Sequence, residues 1–100
     1  MDLDKVPKQA NGFAAEEMEG ECLLYRIGGH KAIHLDKAGT VIWKLCDGSR
    51  TVQDIIDLLA KNYPGLEADV QADVREVVEL LERDGALLEI VRPRTTPTPS

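Results

Sequence analysis

The chain has 100 residues and a formal net charge of −6, from 18 acidic and 12 basic residues. This length supports a single core, and the acidic balance disfavours polyanionic partners such as nucleic acid. The sequence has no apolar stretch of the roughly 18 residues that a membrane span needs, and no signal-peptide run. We therefore expect a cytoplasmic protein. Cys22 and Cys46 form no C-x-x-C pair and are expected to be reduced, buried thiols.

The two ends of the chain differ from the middle in composition. Residues 1–10 are polar and include a proline, and residues 92–100 read RPRTTPTPS, with nothing to bury. We expect a flexible N-terminus at 1–10, one folded domain at 11–91, and a disordered Pro/Thr-rich tail at 92–100.

Residues 21–36 predict a β-hairpin. Two runs rich in β-forming residues flank Gly28-Gly29, which suits a two-residue turn. This turn sets Leu24 opposite Ile33 and Ile27 opposite His30. Side chains then alternate between two faces. The core face carries Cys22, Leu24, Ile33 and Leu35. The half-exposed face carries Leu23, Tyr25, Ile27, His30, Ala32 and His34. A weaker strand is expected before the hairpin, at residues 12–18.

Three helices are predicted after the hairpin. Asp36 is a good N-cap for the first, which Asp47-Gly48 ends. Thr51 and Asp54 resemble a capping box that opens the second. The third is expected from about residue 68 to 84, with apolar residues on one stripe and Gly85 after it. Strands followed by helices indicate an α+β domain of winged-helix type, with a three-stranded antiparallel sheet and then three helices.

The charges and the residue spacing argue against two other classes of function, a DNA-binding regulator and a metal-dependent enzyme. A winged-helix DNA-binding regulator would place the third helix in the major groove, but residues 69–84 carry six acidic and two basic side chains, the wrong balance for phosphate contacts. A metal site at His30-x-x-x-His34 is disfavoured because residues four apart on a strand are about 13 Å apart. No catalytic residue, cofactor or metal site is expected, since no serine–histidine constellation or phosphate-binding glycine loop is present.

Several motifs resemble a known family. They are LLY in the hairpin, LDKAGTVIWKLCDG at residues 35–48, the Asp73-Val74 pair, and a late E-x-D-G-A-L. This pattern, over residues 23–88, resembles the PqqD family, the standalone form of the recognition element for ribosomally made, modified peptides. The resemblance implies that the leader of a precursor peptide binds as an extra strand, in the groove between the third strand and the third helix. It also implies presentation to a modifying enzyme, often a radical S-adenosylmethionine protein, in peptide-modification or quinone-cofactor biosynthesis.

The physics of strand addition gives a set of candidate peptide-binding residues. The free edge of the last strand would supply main-chain bonds, at Ala32, Ile33, His34 and Leu35. The nearest apolar side chains of the third helix are Val74, Val78 and Leu81. Simple membership of the core fits the five larger apolar candidates as well, namely Ile33, Leu35, Val74, Val78 and Leu81. Arg75 and Glu82 are the charged candidates beside the groove. The acidic excess of this helix predicts a leader that contributes Lys or Arg. The exposed sheet face at Leu23, Tyr25 and Ile27 would serve either a homodimer or docking to the enzyme.

Overall fold

The structure is a computed structural model and describes residues 3–90. The strands are β1 (Val6–Gln9), β2 (Phe13–Met18), β3 (Glu21–Arg26), β4 (Ala32–Leu35) and β5 (Leu87–Ile90). The helices are α1 (Lys37–Leu45), α2 (Val52–Asn62) and α3 (Glu67–Arg83). The prediction of an α+β fold, with a three-stranded antiparallel sheet followed by three helices, is confirmed.

The three-stranded sheet has the order β2-β3-β4 and the predicted hairpin register. Leu24 pairs with Ile33, and Tyr25 pairs with Ala32. The predicted core face of the hairpin is buried, whereas Leu23, Ala32 and His34 on the other face are exposed. The buried and exposed residues alternate because successive side chains of a strand point to opposite faces, and one face of the sheet packs on the helices.

The connection between β3 and β4 is wider than the predicted two-residue turn. Residues 27–31 lie outside both strands, so the expected pairing of Ile27 with His30 is absent from the ladder. Gly28 adopts a φ of +83°, and the amide of Gly29 donates to the carbonyl of Arg26 at 2.9 Å. A turn therefore closes on Arg26 rather than on Ile27, which leaves His30 and Lys31 in a loop.

Local capping sets the starts of the first two helices. The Asp36 carboxylate accepts a hydrogen bond from the Gly39 amide at 2.8 Å. Thr51 and Asp54 form the predicted capping box, with reciprocal bonds of 2.9 and 3.0 Å. Each bond satisfies an amide that has no partner within its helix. Both capping predictions are confirmed. They could be made from the sequence because a cap depends on residues only three positions apart.

Residues 6–9 form a paired strand, within the segment 1–10 that the sequence predicted to be flexible. β1 pairs antiparallel with β5, from Val6 opposite Ile90 to Gln9 opposite Leu87. Val6 is buried, and the carbonyls of Leu3 and Lys5 accept the amides of Gln53 and Val52 in the first turn of α2. This small sheet was not predicted because β1 is short, polar in part and contains Pro7. The predicted tail at 92–100 lies outside the described residues.

One core joins the inner face of the sheet to the three helices. Its buried members include Leu24 and Leu35 from the hairpin, Trp43 from α1, and Ile55 from α2. Both cysteines are free and buried. Within residues 3–90, no helix combines the length and the apolar content needed to cross a membrane.

Candidate functional site

β4 has an edge that pairs with no other strand in the described part of the chain. It is the outer strand of the order β2-β3-β4, and only its β3 side is occupied. In an antiparallel sheet, alternate residues of an edge strand direct their N–H and C=O groups away from the partner. Such an edge is a template for a further strand. The outer edge of Ala32–Leu35 is therefore unpaired in the described part of the chain, and the prediction that a further strand adds here concerns this edge.

A cleft of about 400 Å³ lies where β4 begins. It contains three cationic side chains and is called the cationic cleft below. Its lining residues are Phe13, Arg26, Lys31, Ala32, Ile33, Arg83 and Asp84. These residues come from β2, β3, the loop before β4, β4 itself and the end of α3. The chain is acidic overall, so this gathering of positive charge is a local exception.

A second cleft, of about 410 Å³, lies between the three helices just after β4. It is called the apolar cleft below. Its lining residues are Lys37, Ala38, Val41, Ile42, Leu59, Tyr63, Leu66, Asp69, Val70, Asp73 and Val74. Val41, Tyr63 and Leu66 are 45%, 53% and 48% exposed. Large apolar side chains that are exposed together in one concavity are typical of a binding surface rather than of a core.

One side of α3 connects the two clefts. Asp73 lines the apolar cleft, and Asp84, directly after the helix, lines the cationic cleft. Val77 and Leu80 continue the spacing of three to four residues between them and are half-buried. At 3.6 residues per turn, positions 73, 77, 80 and 84 lie on one side of the helix. A strand added to β4 would lie along this side.

Four of the predicted peptide-binding residues lie at a cleft or at the edge of β4. Ala32 and Ile33 line the cationic cleft, and Val74 lines the floor of the apolar cleft. His34 offers its main chain at the β4 edge. Its side chain points to the outer face, where Nε2 lies 2.7 Å from Oε1 of Glu21.

Three other predicted apolar residues are core residues. Val78 and Leu81 have no exposed area, and Leu35 is 2% exposed. They pack in the core between the sheet and the helices, and none of them lines either cleft. The interpretation as core, which the sequence left open, describes all three.

Arg75 and Glu82 are not brought to the clefts. They are seven residues apart, and thus on one side of α3. Glu82 accepts a bond from Nζ of Lys5 at 2.6 Å, beside β1. At about 100° per residue, Arg75 and Glu82 are about 160° and about 140° from Val77 around the helix axis. The two charged candidates therefore lie on the side of α3 away from the β4 edge, and Glu82 there contacts the N-terminal segment.

Most of the charged and exposed apolar residues of the clefts were missed by sequence reasoning. Arg26 and Lys31 belong to the hairpin, Arg83 ends α3, and Tyr63 and Leu66 lie around the connection between α2 and α3. These residues become close in space only when the elements pack together. Tyr63 and Leu66 offered one weak signal, because large apolar residues flanking Pro64-Gly65 lie outside the helical stripes.

The titratable groups with perturbed pKa values lie outside the clefts. Burial raises the pKa of the Cys46 thiol to about 12, and Asp47 and Glu82 add to the effect. Burial and Glu17 raise the pKa of Cys22, while Lys44 lowers it. A buried thiol in its protonated form is a poor nucleophile. Among residues 3–90, no three His, Cys, Asp or Glu side chains are grouped so as to hold a metal ion.

Comparison with known proteins places this geometry in a family. Residues 21–87 match the family model described as "Coenzyme PQQ synthesis protein D (PqqD)". The chain belongs to the PqqD family. The matched segment begins at β3 and ends in β5, so it contains β4, the three helices and most residues of both clefts.

A relative and a solved structure resemble this PqqD-family chain. A "PqqA binding protein" of Rhodopseudomonas palustris (strain HaA2) is 41% identical over 54 residues. The alignment covers 54% of this chain and 53% of the relative, so the chain spans about half of the length of that protein. The structure titled "TbiB1 in Complex with the TbiA(beta) Leader Peptide" aligns with a TM-score of 0.70 at 20% identity. It covers 85% of this chain and 99% of that one, and shows that the two share a fold.

Proposed function

We propose that this PqqD-family domain binds the leader of a ribosomally made precursor peptide and presents it to a separate modifying enzyme. The observation that carries the proposal is the unpaired edge of β4, which lies between two clefts on the same side of α3. The leader adds a strand to β4. Main-chain hydrogen bonds supply affinity, and the clefts receive alternate side chains.

The relatives support this proposal by what their names state. One curated relative is named for binding PqqA, and the aligned solved structure is titled as a complex with a leader peptide. The exposed apolar lining of Val41, Tyr63 and Leu66 supports it independently, because such a surface needs a partner to bury it.

The test is an amide NMR titration of the labelled domain with the precursor peptide encoded nearest to it. We expect shifts at residues 32–36, in both cleft linings, and at Asp73, Val77 and Leu80. A leader with scrambled sequence is the control and should leave these amides unmoved. Shifts confined to Arg75, Glu82 and β1 would contradict binding at the β4 edge, and no shifts at all would contradict leader binding.

The domain itself is proposed to transfer no atoms. Its clefts combine exposed apolar residues with charged side chains, an arrangement suited to binding. The enzyme partner is proposed to be a radical S-adenosylmethionine protein, and the compartment to be the cytoplasm, where free cysteines such as Cys22 and Cys46 stay reduced. A pull-down of the modifying enzyme by the leader-loaded domain tests the partnership.

The outer sheet face is proposed as the surface for a second protein. Leu23 is 37% exposed on the face away from the helices, and Ile27, in the loop directly after β3, is 69% exposed. A homodimer would bury this face, and sedimentation of the isolated domain tests it, because an Ile27→Asp variant should then shift to the monomer. Duplex DNA is a useful negative control, since α3 carries six acidic and two basic residues.

A further inference from the structure

The positive charges of the cationic cleft form no ion pair within the described part of the chain. Arg26, Lys31 and Arg83 take part in none of the ion pairs among residues 3–90, whereas Lys5, Lys44 and Arg50 are each paired. Asp84 lies in the same cleft. The C-terminal end of α3 adds about half a negative charge. Three positive charges against these two contributions leave a net charge of about +1.5.

Arg26 has a structural task that the other two cations lack. Its guanidinium carbon is 5.1 Å from the centre of the Phe13 ring, a cation–π contact. A carbon added to Gly85 would lie 2.9 Å from a guanidinium nitrogen of Arg26, so this group sits against the chain just after α3. Lys31 and Arg83 are exposed side chains at the cleft and have no such contact among the described residues. They are therefore the groups free to meet a ligand.

The two clefts differ in charge as well as in polarity. The apolar cleft has a rim of one basic residue, Lys37, and two acidic residues, Asp69 and Asp73. Its walls are apolar and partly exposed. A ligand that fits one cleft by its chemistry is thus a poor ligand for the other.

We propose that the cationic cleft binds a carboxylate side chain of the leader while the apolar cleft takes a large apolar side chain of the same peptide. This inference rests on the proposed function and specifies the substrate class. Along this part of the chain, residues 31–33 line the cationic cleft and residues 37–38 line the apolar cleft, and an extended peptide advances ~3.3 Å per residue. Side chains alternate between the two faces of a strand, so the acidic and apolar anchors are an even number of residues apart in the leader, about four or six.

Two unlike anchors set the register of the added strand. Main-chain bonds alone leave a strand free to slip along an edge. A slip of two residues would carry the carboxylate about 7 Å from the cationic cleft. This assignment also changes the expected ligand, since the overall charge of α3 predicted a leader rich in Lys or Arg.

The experiment is a charge-swap cycle with the precursor peptide encoded nearest to the domain, measured by fluorescence anisotropy. Each Asp and Glu of the leader is replaced by Lys in turn. The protein variants are wild type, Lys31→Glu/Arg83→Glu, and Arg75→Glu, which makes the same kind of charge change on the other side of α3. Thermal midpoints confirm folding, and a milder Lys31→Gln/Arg83→Gln pair replaces the double variant if its midpoint falls.

We expect the double variant to bind the natural leader about fivefold more weakly, the size of two exposed ion pairs, while Arg75→Glu binds as wild type does. One acidic-to-Lys substitution in the leader should weaken its binding to the wild-type domain. The same substitution should restore its binding to the double variant. If the leader binds but no acidic position couples to Lys31 and Arg83, the inference is wrong and the proposed function stands. If the natural leader does not bind wild type, both are wrong.

Discussion

Nζ of Lys5 donates to Oε1 of Glu82 at 2.6 Å, and so joins the segment before β1 to the side of α3 that faces away from the clefts. The two side chains are 10% and 24% exposed. A charged hydrogen bond with little water around it contributes more to stability than a surface ion pair does.

Replacing Lys5 by Met should therefore destabilise the domain. We expect the free energy of unfolding to fall by about 1–3 kcal/mol, because the Glu82 carboxylate loses its partner in a partly buried site. Urea denaturation followed by Trp43 fluorescence measures it. Removing both charges, in Lys5→Met/Glu82→Leu, should recover part of the loss. A single variant as stable as wild type would show that the bond adds nothing.

The strand β1 provides a second test of the N-terminal segment. Val6 is 1% exposed, whereas Lys8 on the same strand is exposed. Val6→Ala should lower the free energy of unfolding by about 2 kcal/mol, since it leaves a cavity against β5 and the core. Lys8→Ala is the matched control, with a change within about 0.5 kcal/mol. Equal, negligible effects in chemical denaturation would indicate that the segment is not packed.

The two thiols should be unreactive in the folded protein. Cys22 and Cys46 are 2% and 0% exposed, and burial raises the pKa of Cys46 to about 12. At pH 8 this thiol is almost wholly protonated, and the thiolate is the reactive form. We expect no fast reaction with Ellman's reagent until urea unfolds the chain. A Met18→Cys variant, at a position 73% exposed, is the positive control. Rapid modification of the wild-type chain would contradict this packing.

Two exposed leucines test the apolar cleft. Leu66 lines it and is 48% exposed, while Leu58 lies elsewhere on the surface and is 38% exposed. Leu66→Ala should weaken leader binding by about tenfold, the effect of losing one partly buried leucine side chain from an interface. Leu58→Ala should leave affinity unchanged. Isothermal titration calorimetry on both variants, with their thermal midpoints compared, makes the measurement. Equal affinities would place the leader outside this cleft.

The parts of the fold that followed from sequence are those governed by near neighbours. The Asp36 cap and the Thr51–Asp54 box depend on contacts three residues apart, and the faces of the hairpin depend on the alternation of side chains along a strand. The turn failed as a prediction because Gly28-Gly29 permits several loop geometries. The pairing of Val6 with Ile90 was not predictable from pattern, since two strands of four residues at opposite ends of the chain carry no mark of each other.

The candidate site divides in the same way. A strand edge at residues 32–35 and a later helix could be predicted from sequence, because hairpin pairing and helical periodicity depend on residues that are close together in the chain. Which side of α3 faces that edge depends on how the elements pack. Val74, Val78 and Leu81 are buried in the core, and this packing fixes the rotation of α3 about its axis. Glu82 is thereby placed beside Lys5, and Asp73 lines the apolar cleft. The same packing gathers Arg26, Lys31 and Arg83 from separate elements into one cleft, a convergence that no spacing in the sequence records.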